Sequence, residues 1–271
     1  MLGLAVDDRD VVTVARGVDG KNVVDAYERT TTELVPEKVV PGRVITALQG
    51  CPDVDVIARP PYHGLSRVLP DDIAWRYLTR RAHPVGEPKG DSLVIADVEP
   101  PASLKLPHLA TWSRTGTVIT GAAATPSHVL AAIASARDVI IHAHGLADHG
   151  EASYLALSPD PDGRYALTAS EVEHATFASN PIVILAACEA ARAAPVFHAR
   201  WSLPAAFVTA GAKAVIAPTT AVPDNDAAAF FDELRKNVAA GQSAAVVLRD
   251  LRKKWLTRVT GNWVQDVVVF E

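Results

Sequence analysis

The chain has 271 residues, 49% of them hydrophobic and 21% charged, enough for one large α/β domain or two modest ones with a sizeable core. A formal net charge of −5 argues against a general nucleic-acid binder, and no segment approaches the ~20 apolar residues needed to span a bilayer. With only Cys51 and Cys188, a disulfide framework is excluded and a reducing, cytoplasmic setting is expected, one that would keep a thiol nucleophile alive.

Met1 to Asp10 carries Asp7, Asp8 and Asp10 and lacks the basic and apolar parts of a secretory leader. Prolines and glycines are dispersed, with no low-complexity tract or fixed-period repeat. The one dense basic cluster, Arg249, Arg252, Lys253, Lys254 and Arg258, falls on an expected helix and reads as its solvated face.

In chain order, short β-like runs such as Asp10–Ala15 come first, broken by Gly17 and Gly20. Arg43–Leu48 starts a helix after a Pro41-Gly42 turn, and Val54–Ala58 is a strand closed by Arg59-Pro60-Pro61. Pro70–Arg81 is expected to be helical, with Asp71 and Asp72 near its positive amino end. His83–Gly90, rich in proline and glycine, divides a smaller subdomain at residues 1–90 from a main domain at 91–271.

Beyond that linker, strands are expected at Ser92–Val98, Thr117–Thr120, from Val139, from Ile182, Lys213–Ala217 and Trp263–Phe270. Helices are expected at Leu106–Trp112, His128–Ala136, Trp201–Thr209, Asp224–Ala239 and Ser243–Leu256. Thr125 with Pro126 marks a helix start, and Thr168 with Glu171 has capping-box spacing before a short helix. Ser153–Leu157 and Tyr165–Leu167 pair as a hairpin across Pro159–Gly163. Setting the hairpin aside, six strands alternating with helices call for a mainly parallel sheet covered by helices on both faces.

Two of these runs carry chemistry. Val139–Gly145 and Ile182–Glu189 are β-branched stretches of the kind that form buried parallel strands, and they stop at His144-Gly145 and Cys188-Glu189. Active sites gather at the carboxyl edge of such sheets. A thiol needs a base or ion-pair partner, which imidazole supplies, and Gly145 can let a backbone N–H approach a developing oxyanion. The interval, 188 − 144 = 44 residues, is close to the roughly 50 of caspases, where histidine also comes first.

His142 and His144, two apart on one strand, would share a face; with Asp148, His149 and Glu151 they raise a metal site. That set matches no recognised ligand spacing, so neither metal nor cofactor is expected. Asp224 and Asp226 follow a strand end and either cap the next helix or, with Glu189, line a pocket favouring a basic side chain. Ser153, Ser170 and Ser202 lie in no G-x-S-x-G elbow, no phosphate-binding glycine loop is present, and Cys51 reads as structural.

Residues 92–271 resemble the CHAT domain, a caspase-like and separase-like cysteine peptidase of clan CD. The resemblance rests on an ordered set of motifs: Ile140–Gly145, Leu155–Leu157 with Leu167–Val172, Ile184–Glu189, Ala205–Ala217 and Val222-Pro223-Asp224. It implies a caspase-like three-layer sandwich, a sheet of about six mainly parallel strands with helices on both faces, plus a degenerate, non-catalytic α/β subdomain at 1–90. It further implies a cysteine endopeptidase with His144 and Cys188 as catalytic residues, backbone N–H groups of Gly145 and Cys188 as oxyanion donors, and no third catalytic side chain.

The implied partners are a protein or peptide substrate and a regulatory partner or repeat domain in a longer protein, in a regulated bacterial signalling or defence pathway. No nucleic acid or membrane is implied. The alternative is a catalytically silent protein-binding module with the same fold. Glu189 replaces the glycine of the caspase pattern, as is common in CHAT sequences, and Thr219-Thr220-Ala221 stands where many relatives have a tryptophan-containing loop.

Overall fold

The computed structural model describes the chain apart from residues 8–9, 18, 24–27, 32–34, 80, 82–83, 110–111, 113–115, 148–152, 193–201 and 260. Its first part supplies β1 (Leu2–Asp7), β2 (Asp10–Ala15), β3 (Glu28–Thr31), α1 (Gly42–Leu48), β4 (Val54–Ala58) and β5 (Trp75–Tyr77). There follow β6 (Asp91–Val98), β7 (Thr117–Gly121), α2 (Pro126–Ile133), β8 (Ala136–His142), β9 (His144–Leu146), β10 (Tyr154–Ala156), β11 (Ala166–Leu167) and α3 (Ala169–Glu173). The last part holds β12 (Ile182–Ala186), α4 (Leu203–Thr209), β13 (Ala214–Pro218), α5 (Asp224–Ala239), α6 (Ala244–Trp255) and β14 (Val267–Phe270). Among the described residues, no helix is long and apolar enough to cross a membrane.

Eleven strands form one sheet in the order β3-β2-β1-β4-β5-β14-β13-β12-β8-β6-β7, and β11-β10-β9 form a small second sheet. Pairing is parallel from β13 through β12, β8 and β6 to β7, and antiparallel where β14 meets β13. β5 joins the two parts by pairing Tyr77 opposite Phe270 of β14.

Period-two alternation turns this sheet into the middle of three layers. Val139, Ile141, Val183 and Leu185 share one core with Val129 and Ile133 of α2, Val172 of α3 and Phe207 of α4. Ile140, Ile184, Ala186 and Ile216 share the opposite core with Phe230, Phe231 and Leu234 of α5 and Leu248 and Leu251 of α6. Each large side chain buried this way contributes about 1.5–3 kcal/mol, so the apolar runs are driven into the centre of the sheet. The local signals hold: Thr125 accepts from the His128 N–H, the Thr168–Glu171 capping box is reciprocal, and β10 pairs with β11 as a hairpin.

Four expectations are corrected. Residues 71–73 are turns and bends, and the expected helix gives way to β5 at Trp75–Tyr77, whose buried Trp75 and Tyr77 alternate with Arg76 between β4 and β14. Aromatic strand formers held on both sides by ladders override a weak helical pattern. Leu106–Leu109 and Trp112 are not helical; Pro107 stands inside this stretch, and its carbonyl bonds elsewhere. Trp263–Asp266 is a 3₁₀ turn, so the closing strand is only Val267–Phe270. Arg252 is buried rather than solvated: it bonds the Val264 and Val267 carbonyls and lies over the Trp75 ring, and burial pushes its guanidinium down to about 10.

Candidate active site

The site is built where β6, β8, β12 and β13 end. β8 and β12 pair in register as far as Ala186 opposite His142, and beyond the ladder the backbones at Gly145 and Cys188 stay in contact. The contact is tight at Gly145: a Cβ there would fall 1.8 Å from the Cys188 carbonyl oxygen and 2.9 Å from its carbonyl carbon. Glycine is required at 145 because backbone touches backbone, a constraint separate from any oxyanion role.

The expectation that His142 and His144 share a face of one strand is corrected. β8 ends at His142, the strand is interrupted at Ala143, and His144 opens β9, opposite Ala156 of β10 in the second sheet. His144 Nε2 lies 2.8 Å from the Pro107 carbonyl oxygen. A carbonyl only accepts, so Nε2 carries the proton and Nδ1 presents the basic lone pair.

His142 has a different environment. It is 2% exposed, its ring lies 4.6 Å from that of Trp112, and its Nε2 is 3.2 Å from Asp224 Oδ1. Burial lowers its pKa, with Asp224 and Asp97 acting in the opposite direction. Nε2–H donates to the carboxylate, while Nδ1 is buried without a hydrogen-bond partner. His142 is therefore a core imidazole held neutral and closed to substrate.

Cys188 lies at the start of a turn, with Sγ against Val222, whose N–H donates to the sulfur at 3.5 Å and whose oxygen is 3.9 Å away. Among the described residues, no hydrogen bond joins Cys188 to His144. The described residues directly after Cys188 form a turn, and 193–201 lie outside the described residues. Cys51 is free and packs against the large core.

The pocket candidates separate. Asp224 and Asp226 occupy the first turn of α5, whose N-cap is Pro223 with no side-chain cap, so the capping expectation is replaced by the Asp224–His142 bond. Positions two apart on a helix do not share a face, so Asp226 does not follow Asp224 toward His142. Glu189 has φ 51°, donates its N–H to the Thr220 oxygen and pairs its carboxylate with Arg192 at 2.8 Å. The Thr219-Thr220 segment is pinned to Asp266, whose carboxylate Arg67 holds from two nitrogens. Sequence patterns carry no signal for Pro107 or Trp112, and Val222 is visible in them only as part of a motif.

No group of three or more His, Cys, Asp or Glu that could hold a metal occurs among the described residues. Asp148, His149 and Glu151, invoked above for a metal, lie outside them.

A parallel sheet sandwiched by helices, with imidazole and thiol leaving neighbouring strand ends, defines a caspase-like fold of the clan CD cysteine-peptidase type. Solved structures share it. The Arg-specific cysteine proteinase gingipain R is 12% identical, with a TM-score of 0.54, covering 86% of this chain and 67% of that one. The pro- and mature domains of Porphyromonas gingivalis RgpB give 10% identity and a TM-score of 0.51, covering 86% and 69%.

The Saccharomyces cerevisiae separase–securin complex gives 11% identity and a TM-score of 0.52. It covers 80% of this chain, which spans only 15% of the separase-complex chain it matches. The CHAT domain model matches residues 75–260, and the chain belongs to the CHAT domain family. No curated protein sequence matches it.

Proposed function

We propose that the chain is a cysteine endopeptidase in which Cys188 and His144 are the catalytic residues. The observation that carries this reading is the backbone contact of Gly145 with Cys188 beyond the β8–β12 ladder, next to a His144 whose Nε2–H is tied to Pro107. Cys188 Sγ attacks the scissile carbonyl carbon while Nδ1 of His144 takes the thiol proton. The C–N bond then breaks, the imidazolium protonates the leaving amine, and a thioester remains. Water, deprotonated by the same nitrogen, cleaves the thioester to a carboxylic acid and restores the thiol.

The backbone N–H groups of Gly145 and Cys188 are the oxyanion donors in this reading, supported by the close approach of their two backbones. The Pro107 carbonyl stands in for a third catalytic side chain by fixing the tautomer. Asp224, whose carboxylate also holds His142, is assigned to a pocket for a basic side chain before the cut, with Glu189 and Asp226 as further acidic candidates. Asp224→Asn is expected to erase a preference for arginine or lysine there.

Residues 1–90 are assigned as a non-catalytic half and 91–271 as the protease domain. Cys51 precedes β4 instead of following it, and His63 packs tilted against the rings of Tyr77 and Phe270. The substrate is a protein or peptide, and a reducing cytoplasmic setting suits the two free thiols. A regulated signalling or defence role with a protein partner completes the reading.

Peptide-library profiling of wild type against Cys188→Ala tests it. Cleavage by wild type and its loss in a folded variant are expected; equal cleavage by both overturns the assignment. A second reading, a silent protein-binding module, is favoured by one observation: the sulfur contacts Val222 and makes no hydrogen bond to His144. Failure of a mild alkylating agent to label Cys188, together with no cleavage by wild type, would select it.

A further inference from the structure

In the strand order β8, which leads into His144, lies between β12, which leads into Cys188, and β6, which leads into the segment 98–109. The Pro107 carbonyl, from the 98–109 segment, holds His144 on the side away from the thiol.

A cavity of about 390 Å³ opens on that same side, with His144 as one wall and Val98, Pro101, Leu106 and Leu109 among its apolar walls. Cys188 and Asp224 do not line it. Glu99 and Lys105 both reach it, so the lining charges oppose one another and leave the apolar surface to select. Its size falls near the lower end of ligand pockets, about 300–1,000 Å³.

We propose that this cavity is the subsite for the residue immediately after the scissile bond and that it takes a large apolar side chain. The proposal rests on the peptidase reading above. With the scissile carbonyl carbon on Cys188, the leaving nitrogen must face His144 to be protonated. The chain attached to that nitrogen then continues past the imidazole toward the 98–109 segment. A charged or very small residue leaves the apolar walls unfilled, and each missing methylene in such a pocket is worth about tenfold or more in discrimination. Because the segment that walls the cavity also supplies the Pro107 carbonyl, filling the subsite steadies the imidazole that must protonate the leaving group.

The test uses the full chain and a peptide library randomised on both sides of the cut, with an aminomethylcoumarin amide of the best acyl sequence as a substrate lacking any residue after it. Wild type is expected to enrich leucine, isoleucine and phenylalanine after the cut about tenfold over glycine and aspartate. Ala102→Trp, which blocks the cavity from an exposed position, is expected to abolish that enrichment. It should also lower the ratio of kcat/KM on the extended peptide to that on the coumarin amide by about tenfold. Leu109→Ala, which widens the cavity, should shift the preference toward larger aromatic residues. Indifference of wild type to the residue after the cut, or an unchanged ratio in folded Ala102→Trp, overturns the subsite. Wild type turning over neither library nor amide instead overturns the peptidase reading beneath it.

Discussion

Two regions of the eleven-stranded sheet meet the same burial problem in different ways. At β12 and β13, residues from Val183 to Ala186 and from Ala214 to Pro218 are buried without a break, because helices cover both faces. At β4, Val54, Val56 and Ala58 join the core over which α1 packs, while Ile57 on the other face is 39% exposed. A strand enclosed on both faces holds its end to a fixed position, and chemistry needs a rigid support. The one-sided region buttresses the sheet through β5 and β14 and leaves the candidate catalytic groups to the enclosed region.

Two matched pairs of substitutions and one single substitution would break or sharpen that contrast. The largest effect is expected from glycines. Gly145→Ala drives a methyl into the Cys188 carbonyl, and a displacement of this kind should cut kcat/KM about 10²-fold or more. Gly3→Ala in β1 meets only the Val14 oxygen at 3.7 Å, and should leave activity intact and stability equal or slightly raised. If both behave alike, the enclosed region is not special.

Core truncation comes next. Ile184→Ala, in fully buried β12, should cost about 2–5 kcal/mol in urea unfolding. Ile57→Ala should cost less than about 1 kcal/mol, because much of that side chain is already in water. Similar losses would mean that a partner or a further segment covers the outer face of β4.

The smallest effect concerns His142. Burial lowers its pKa, so below the ordinary histidine value of about 6.5 the unfolded chain binds a proton that the folded chain refuses. Stability from this group is thus present above that pH and lost as the pH falls toward the lowered folded value. His142→Phe should make the decline in stability between neutral pH and pH ~5.5 shallower, by no more than about 1.4 kcal/mol for each step of one in pH. An unchanged slope would show that the ring is hydrated or charged in the folded protein.

Much of the enclosed region is legible in the residue order. Apolar β-branched runs, the Thr125 start, the Thr168–Glu171 box and the β10–β11 hairpin each depend on residues within a few positions of one another. The dyad candidates are visible for the same reason, as reactive groups where an apolar run stops. The errors fall where neighbours distant in sequence decide. Trp75–Tyr77 becomes a strand because β4 and β14 flank it, and Leu106–Leu109 stays open with its Pro107 carbonyl given to His144. Arg252 reads as surface charge in the sequence, yet carbonyls of Val264 and Val267 close over it.

The sequence by itself determined most of the strands in residues 91–271, the alternation of their buried faces and that an imidazole and a thiol follow apolar runs, since side-chain periodicity and capping are local. Only the tertiary structure decided which strand lies beside which. It thereby separated His142, bonded to Asp224 across 82 positions, from His144, bonded to Pro107 across 37, and set Val222 on the sulfur across 34. Those contacts follow from ladder register and strand order, which are fixed by hydrogen bonds and packing between segments far apart in the chain.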